Sequence, residues 1–348
     1  TKIGTFLSGG LDSSTITVLA KKYNDQIEGF TTVYRPEKKY EKYNLDFKFS
    51  KRLSEDLDIK LNVNYIDNIS SALDDFYKVT SYLDEPVSNL NLLNTYWQSK
   101  HANLLNFKVI LTGDGSDELF CGYDRYHKIF LSNYLKVFNI INRKINKYNS
   151  LKKIDIPLFF YSVFKNSNLE KILNKKNYLI NYGELNLLDN INYNSNVDYI
   201  NYFDFRYWLT NESNYKLDKC TMINSIEARV PFQDISLIKK MFFTKNSKKY
   251  SLFNRKFLLK ANKSIPKYIR NRKKNGWFTP DRIFLDTNLS KIRDNVFKKN
   301  EIQNQGIFDE KNLNIFLDSY NHKGFLIKKE ITTIILFQIW YNKVLSLK

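Results

Sequence analysis

The sequence predicts an α/β fold built on a doubly wound parallel sheet with a largely helical C-terminal part. Three observations carry the prediction. Short apolar runs alternate with helical stretches through the first 131 residues, a loop of glycines and hydroxyls joins the first run to the first helix, and the strand signal fades after residue 131. Residues 2–7 read as a strand, 12–23 as a helix, 28–34 as a strand and 47–57 as a helix. Leu61, Val63 and Tyr65 alternate with Lys60, Asn62 and Asn64, the period-2 pattern of a third strand. Residues 69–83 and 92–105 follow as helical stretches, then 108–112 as a strand and a helix from about residue 117. This order argues for right-handed βαβ units with helices on both faces and ligands at the strands' carboxyl ends. Residues 132–200, rich in Asn, Lys, Tyr and Leu, read as helices joined by polar loops, or as a flexible insertion. Residues 201–348 read as helical, broken by Pro231, Pro266 and Pro280. No internal repeat or Gly/Ser linker divides the chain, so residues 1–348 are read as one continuous unit.

Composition narrows the function. At 348 residues, with 43% hydrophobic and 16% aromatic content, the chain can bury a sizeable core and is not a disordered polymer. Its two cysteines, Cys121 and Cys220, form no close pair, which disfavours a disulfide scaffold or a thiolate zinc site and suits a reducing, cytoplasmic setting. His101, His127 and His322 are the only histidines, so a histidine metal site is not expected. The apolar run 331–341 is too short to span a bilayer and reads as a core helix; no membrane partner is expected. No signal peptide precedes the first strand, and Thr1 in place of a methionine leaves room for an upstream part. A net charge of +19 raises a nucleic-acid partner, but the lysines are scattered among asparagines and tyrosines. They read as a compositional bias, and no nucleic acid is expected.

Residues 5–14 read Thr-Phe-Leu-Ser-Gly-Gly-Leu-Asp-Ser-Ser, a strand running into a glycine pair, an acid and hydroxyls at a helix start. Backbone N–H groups and the positive helix end meet an anion at such a junction. Gly9 and Gly10 allow a tight turn and close approach of phosphate oxygens. Ser8, Ser13 and Ser14 add donors, and Asp12 is placed to hold Mg²⁺. The lysine of a Walker A loop is missing. The string resembles the pyrophosphate loop of the ATP pyrophosphatase superfamily, whose members cleave ATP between its α and β phosphates, and the resemblance implies that the doubly wound sheet is adenine nucleotide α-hydrolase-like.

A second string, Thr112-Gly-Asp-Gly-Ser-Asp-Glu-Leu-Phe-Cys-Gly-Tyr123, puts three acids and three glycines after a strand. Asp117 is positioned as a second Mg²⁺ carboxylate, while Glu118 reads equally as a helix-start acid. With Leu83-Asp-Glu-Pro86, Ile226-Glu-Ala-Arg-Val-Pro-Phe-Gln-Asp234 and Arg272-Lys-Lys-Asn-Gly-Trp277, both loops make the chain resemble, over essentially its whole length, the synthetase domain of the glutamine-dependent asparagine synthetase family. That family includes β-lactam-forming relatives.

The resemblance implies ATP and Mg²⁺ as cofactors. It implies nucleotide and pyrophosphate contacts from Phe6, Ser8, Gly9, Gly10, Asp12, Ser13, Ser14, Thr32, Thr112 and Gly113, and Mg²⁺ on Asp12 and Asp117. It assigns catalytic roles to Lys274, whose charge would offset that of the adenylation transition state, and to Asp114, where relatives often carry a glutamate. Lys219 and Arg229 are candidates for a substrate pocket. Arg272 and Lys273 can also be read as a solvated basic run, and Arg229 with Asp234 as a structural ion pair.

Departures from the family pattern bear on the acyl substrate more than on the ATP chemistry. Cys121 replaces a glycine, Lys60 and Leu61 stand where relatives often carry a histidine, and segment 35–46 keeps only Asp46 of an Asp-Glu pair. The expected reaction adenylates a carboxylate with release of pyrophosphate, after which ammonia displaces AMP, aspartate to asparagine by default. Alternatives are amidation of a sugar acid or peptide, closure of a β-lactam precursor or, from another class, a tRNA-modifying enzyme with the same loop. The expected partners are a small acyl substrate, ammonia and an upstream glutaminase domain that this chain lacks, with a homodimer left open. The chain alone is expected to use ammonia and ignore glutamine, because the family's thiolate nucleophile is an N-terminal cysteine and position 1 is Thr1.

Overall fold

The computed structural model describes residues 1–36, 38, 40–137, 155–164, 166–174, 193, 195–244, 256–274, 279–323 and 328–346. Much of the segment read as helices or an insertion, 132–200, lies outside the described residues, as do 275–278 of the basic string.

A short, fully paired strand opens the chain. β1 (Ile3–Phe6) lies between β2 (Glu28–Tyr34) and β4 (Val109–Leu111), with β3 (Leu61–Ile66) beyond β2 and β5 (Glu227–Arg229) beyond β4. All pairings are parallel. β2 is buried along nearly its whole length, as a strand covered by helices on both faces must be, which explains its unbroken apolar and threonine run. Helix α1 (Leu11–Tyr23) carries Asp12 in its first turn and Lys21 and Lys22 in its last, matching both ends of its dipole. Helix α2 (Leu45–Asp56) returns to β3. Residues Ile69–Ala72 form a 3₁₀ turn ahead of α3 (Leu73–Tyr82), and α4 (Leu92–Leu104) leads into β4.

The strand order 3-2-1-4-5 places a topological switch at β1. From β1 the chain moves toward β2, and from β4 toward β5, so the loops leaving β1 and β4 diverge around a crevice at the strands' carboxyl ends. The sheet is thus what positions the site.

Two elements depart from the sequence expectations. The region read as wholly helical after residue 201 supplies β5, an edge strand of three residues with charged ends and no apolar alternation to announce it. The helix expected from about 117 is a single turn, α5 (Ser116–Leu119), separated from α6 (Asp124–Val137) by a bend in which Cys121 adopts φ 55°.

The C-terminal helices close the back of the molecule. The apolar run 331–341 lies within the helix Lys328–Ser346, where Ile331, Ile335 and Leu336 are fully buried against α3, α4 and the helix Asp281–Val296. No helix among the described residues is long and apolar enough to cross a membrane. Helix Asn196–Phe203 continues into a π-helix, Asp204–Asn214, and then the helix Tyr215–Met222. Asp204, at the head of the π-helix, is fully buried and accepts bonds from Arg125 Nε at 2.8 Å, Tyr126 Oη and Tyr161 Oη. Burial raises the Asp204 pKa against the pull of Arg125. Three hydrogen-bond donors and the Arg125 ion pair on one carboxylate hold the π-helix to α6 and to the helix Asp155–Tyr161, and a widened helical turn of this kind often marks a functional site.

Candidate active site

The loop after β1 is knit by its own hydroxyls. Ser8 N donates to Ser13 Oγ at 3.2 Å, Ser8 Oγ and Ser13 Oγ lie 3.0 Å apart, and Gly10 N donates to Ser8 Oγ at 3.2 Å. No side chain caps α1 at Gly10, the arrangement in which first-turn N–H groups serve an anion. Ser14 Oγ and Thr32 Oγ1 are buried hydroxyls without a hydrogen-bond partner, which fits a phosphate-binding neighbourhood. Gly9 has φ 65°, and a Cβ there would lie 2.5 Å from Phe49 Cβ and 2.6 Å from Ser50 N of α2.

The loop after β4 locks onto this one. A Cβ on Gly113 would stand 2.8 Å from Ser13 N and 2.9 Å from Asp12 C, so only a glycine lets the two loops touch. Ser116 Oγ donates to Asp12 Oδ1 at 2.6 Å. Lys274 Nζ lies 2.6 Å from Asp117 Oδ1, donates to Gly122 O at 3.2 Å and sits 4.5 Å from the centre of the Tyr123 ring. Asp114 Oδ1 accepts from Ser213 Oγ of the π-helix at 3.2 Å. Glu118 is almost wholly buried, accepts from Tyr123 Oη at 2.7 Å, and burial together with the neighbouring Asp117 charge pushes its pKa up to about 8.

These residues surround a cleft of about 600 Å³. Of the residues the sequence singled out, Phe6, Ser8, Gly10, Asp12, Ser13, Thr112, Gly113, Asp114, Asp117 and Lys274 line it. Gly9, Ser14 and Thr32 are not part of its lining. Lys219 and Arg229 require correction as pocket residues. Lys219 pairs with Asp84 of the 83–86 string at 2.5 Å and holds its carboxyl below the usual range. Arg229 pairs with Glu227 at 2.8 Å on exposed β5, and neither Lys219 nor Arg229 lines the cleft. Asp234 is not the partner of Arg229; it caps the helix Ile235–Phe242, accepting from Ser236 N and Leu237 N at 3.0 Å.

Sequence reasoning missed four contributors. Arg272, given no role in the site by the sequence and open to reading as part of a solvated run, has its side chain buried between Asp46, Ser8 and Phe49. Burial raises the Asp46 pKa, and the Arg272 charge opposes that rise. Glu212 and Lys216, four residues apart with a 3.7 Å separation of their charged ends, bring a further ion pair to the cleft wall, and Trp208 adds an aromatic face. The lone signal for Arg272 was the acid at Asp46, left over from a family pair; the π-helix had none.

Chemically, the carboxylates lining the cleft include Asp12 and Asp117 on its two meeting loops, and Arg270, Arg272, Lys273 and Lys274 give it a basic edge. This donor set fits a nucleotide held by Mg²⁺, which takes one or two carboxylates and fills its other positions with phosphate oxygens and water. Among the described residues no three His, Cys, Asp or Glu side chains cluster as a metal cage.

The asparagine synthase family model matches residues 1–342. The chain belongs to the asparagine synthase family. Curated relatives include the glutamine-hydrolysing asparagine synthetase 1 of Bacillus subtilis (strain 168), 24% identical over 98% of this chain and 56% of that protein. A putative glutamine-hydrolysing asparagine synthetase of Mycobacterium tuberculosis (strain ATCC 25618 / H37Rv) is 26% identical over 81% of this chain and 46% of that protein. Another, numbered 1, from Methanocaldococcus jannaschii, is 33% identical over 37% of this chain. The chain therefore spans about half the length of the first two relatives.

Proposed function

We propose that this asparagine synthase-family chain is an ATP-dependent amide-forming ligase that adenylates a carboxylate, releases pyrophosphate and lets ammonia displace AMP. The observation that supports it most is the meeting of the β1 and β4 loops at the switch point, with Lys274 held on Asp117 at their junction. In this reading the amides and hydroxyls of Ser8, Gly10 and Ser13 receive the leaving pyrophosphate, already oriented by their mutual bonds. Mg²⁺, held by Asp12 and Asp117, would supply charge neutralisation for the departing phosphates. Lys274 offsets the charge that builds on the α-phosphorus as the acyl oxygen bonds to it and the bridging oxygen leaves with the β-phosphate. Ammonia then attacks the acyl carbon, AMP departs, and Asp114 is close by to accept a proton from the incoming nitrogen.

Aspartate is the default acyl substrate and asparagine the default product. The glutamine-hydrolysing activity in the relatives' names and their greater length support an upstream glutaminase domain as the nitrogen source of a complete protein. Mass spectrometry of mixtures containing ATP, Mg²⁺, ammonia and a panel of acids tests the proposal. An aspartate-dependent asparagine product is expected; amide formed only from a sugar acid or peptide would keep the chemistry and replace the substrate, and no amide from any acid would defeat the reading.

A further inference from the structure

The phosphate loop is also gripped from the side of α2. Arg272 Nη1 donates to Ser8 O at 3.0 Å, its other terminal nitrogen bonds Asp46 Oδ1, and its guanidinium carbon lies 4.3 Å from the centre of the Phe49 ring. The side chains of Arg272 and Asp46 are only 8% and 14% exposed, so this is not a surface pair held weakly by solvent-screened charge. Phe49 is the residue whose Cβ fills the space beside Gly9. One guanidinium thus joins three parts of the molecule: the first turn of α2, the start of the phosphate loop, and the segment that carries Lys274 two residues on.

The consequence follows from peptide geometry. In a planar trans peptide the C=O and N–H point in opposite directions, so fixing the Ser8 carbonyl also fixes the direction of the Gly9 N–H. A glycine at φ 65° has little steric resistance to rotation of that plane. A flipped Ser8–Gly9 peptide would exchange a donor for a carbonyl oxygen in a loop that must receive an anion. We propose that Arg272, with Asp46 as its counter-ion, is a positioning residue that locks the Ser8–Gly9 peptide plane and couples the order of the phosphate loop to the placement of Lys274. The inference rests on the pyrophosphate-releasing reading of the cleft. Arg272 has no role in bond making; it acts through the loop and through Lys274.

The test is inorganic pyrophosphate binding by titration calorimetry, together with kcat and KM for ATP, on the native protein, Arg272→Ala, Arg272→Lys and Asp46→Asn. Arg272→Ala is expected to weaken pyrophosphate binding roughly ten- to a hundredfold, the range for losing a charged hydrogen bond, and to lower kcat as well. Lysine cannot span both contacts of the planar fork, so Arg272→Lys is expected to lose about as much pyrophosphate affinity as Asp46→Asn or more. Combined with Lys274→Ala, Arg272→Ala should depress kcat by much less than the product of the single effects, because its effect on kcat passes through Lys274. Should Arg272→Ala fail to fold, Arg272→Lys and Asp46→Asn decide alone. Pyrophosphate affinity and kcat within about twofold of native in the folded variants would overturn the inference, since a merely structural pair moves the melting temperature and nothing else. Native protein that binds no pyrophosphate would instead overturn the proposed function itself.

Discussion

The two loops that meet in the cleft are built on different principles. The loop after β1 is knit mainly from within: Ser8, Gly10 and Ser13 bond one another within a few residues, while Arg272 at Ser8 O and Ser116 at Asp12 reach it from outside. The loop after β4 reaches outward through Asp114 and Asp117. Asp114 goes to Ser213, Asp117 to Lys274 and Glu118 to Tyr123, while Ser116 returns to Asp12. The first loop takes most of its shape from bonds spanning five residues or fewer, whereas the acids of the second are held by Ser213 and Lys274, 99 and 157 residues away in sequence. Substitutions in the first loop should therefore cost activity with little change in stability, and those in the second should cost both.

The largest effect separates the loops by their carboxylates. Asp12→Asn and Asp117→Asn should each reduce turnover on the order of a hundredfold or more, because in the proposed function each carries one of the charges that would hold Mg²⁺. Asp12→Asn keeps an acceptor for Ser116 Oγ and should melt near the native temperature, whereas Asp117→Asn also breaks the Lys274 pair and should melt lower. Equal melting temperatures would erase the distinction between the loops.

Gly113→Ala attacks their contact. Its Cβ would meet Ser13 N at 2.8 Å, and backbone there cannot give way as a side chain tip could. The strain of overpacking, about 1–3 kcal/mol, should appear as a roughly ten- to hundredfold loss of turnover if it falls on the reacting geometry. Steady-state kinetics with ATP reads it, and native kinetics would mean that the loops tolerate separation.

The second loop also titrates. The Glu118 pKa rises to about 8 in the folded protein, above its ordinary 4.5, so the fold favours the protonated form. The stability tied to that proton is fully present below the ordinary value and is lost as pH rises through about 8. Thermal melts of the native protein and Glu118→Gln should diverge in favour of glutamine as pH rises from neutral to about 9. A gap that stays constant with pH would show that Glu118 ionises normally.

The smallest effect lies where that loop ends. Cys121 holds φ 55°, a left-handed conformation costing a non-glycine residue roughly 1–2 kcal/mol. Cys121→Ala loses the buried thiol and keeps the strain, while Cys121→Gly loses the thiol and relieves it. Glycine should therefore be the more stable variant by about 1 kcal/mol, the reverse of the usual order. An alanine variant that melts higher would contradict the strain argument.

How far the sequence could be read follows the same division. The alternation that placed β1 through β4 and the Ser-Gly-Gly string are local patterns, and the structure keeps them within a few residues at each boundary. The family resemblance likewise rested on contiguous strings, and the family match over residues 1–342 agrees with it. What escaped was tertiary. β5 is too short to carry a period and exists because β4 offers it an edge. The π-helix carries Asp204, which finds Arg125, Tyr126 and Tyr161, and the burial of Arg272 was not legible because its partner Asp46 stands 226 residues away. Lys219 and Arg229 were placed by resemblance alone, and their charges are used elsewhere by Asp84 and Glu227.

The central claim is that the loop after β1 cradles a leaving pyrophosphate while the loop after β4 serves the α-phosphorus. Analysing the nucleotide products of turnover by ion-exchange chromatography or ³¹P NMR tests it directly. The account predicts AMP and pyrophosphate in equal amounts with the amide; ADP and inorganic phosphate as the stoichiometric products would contradict it.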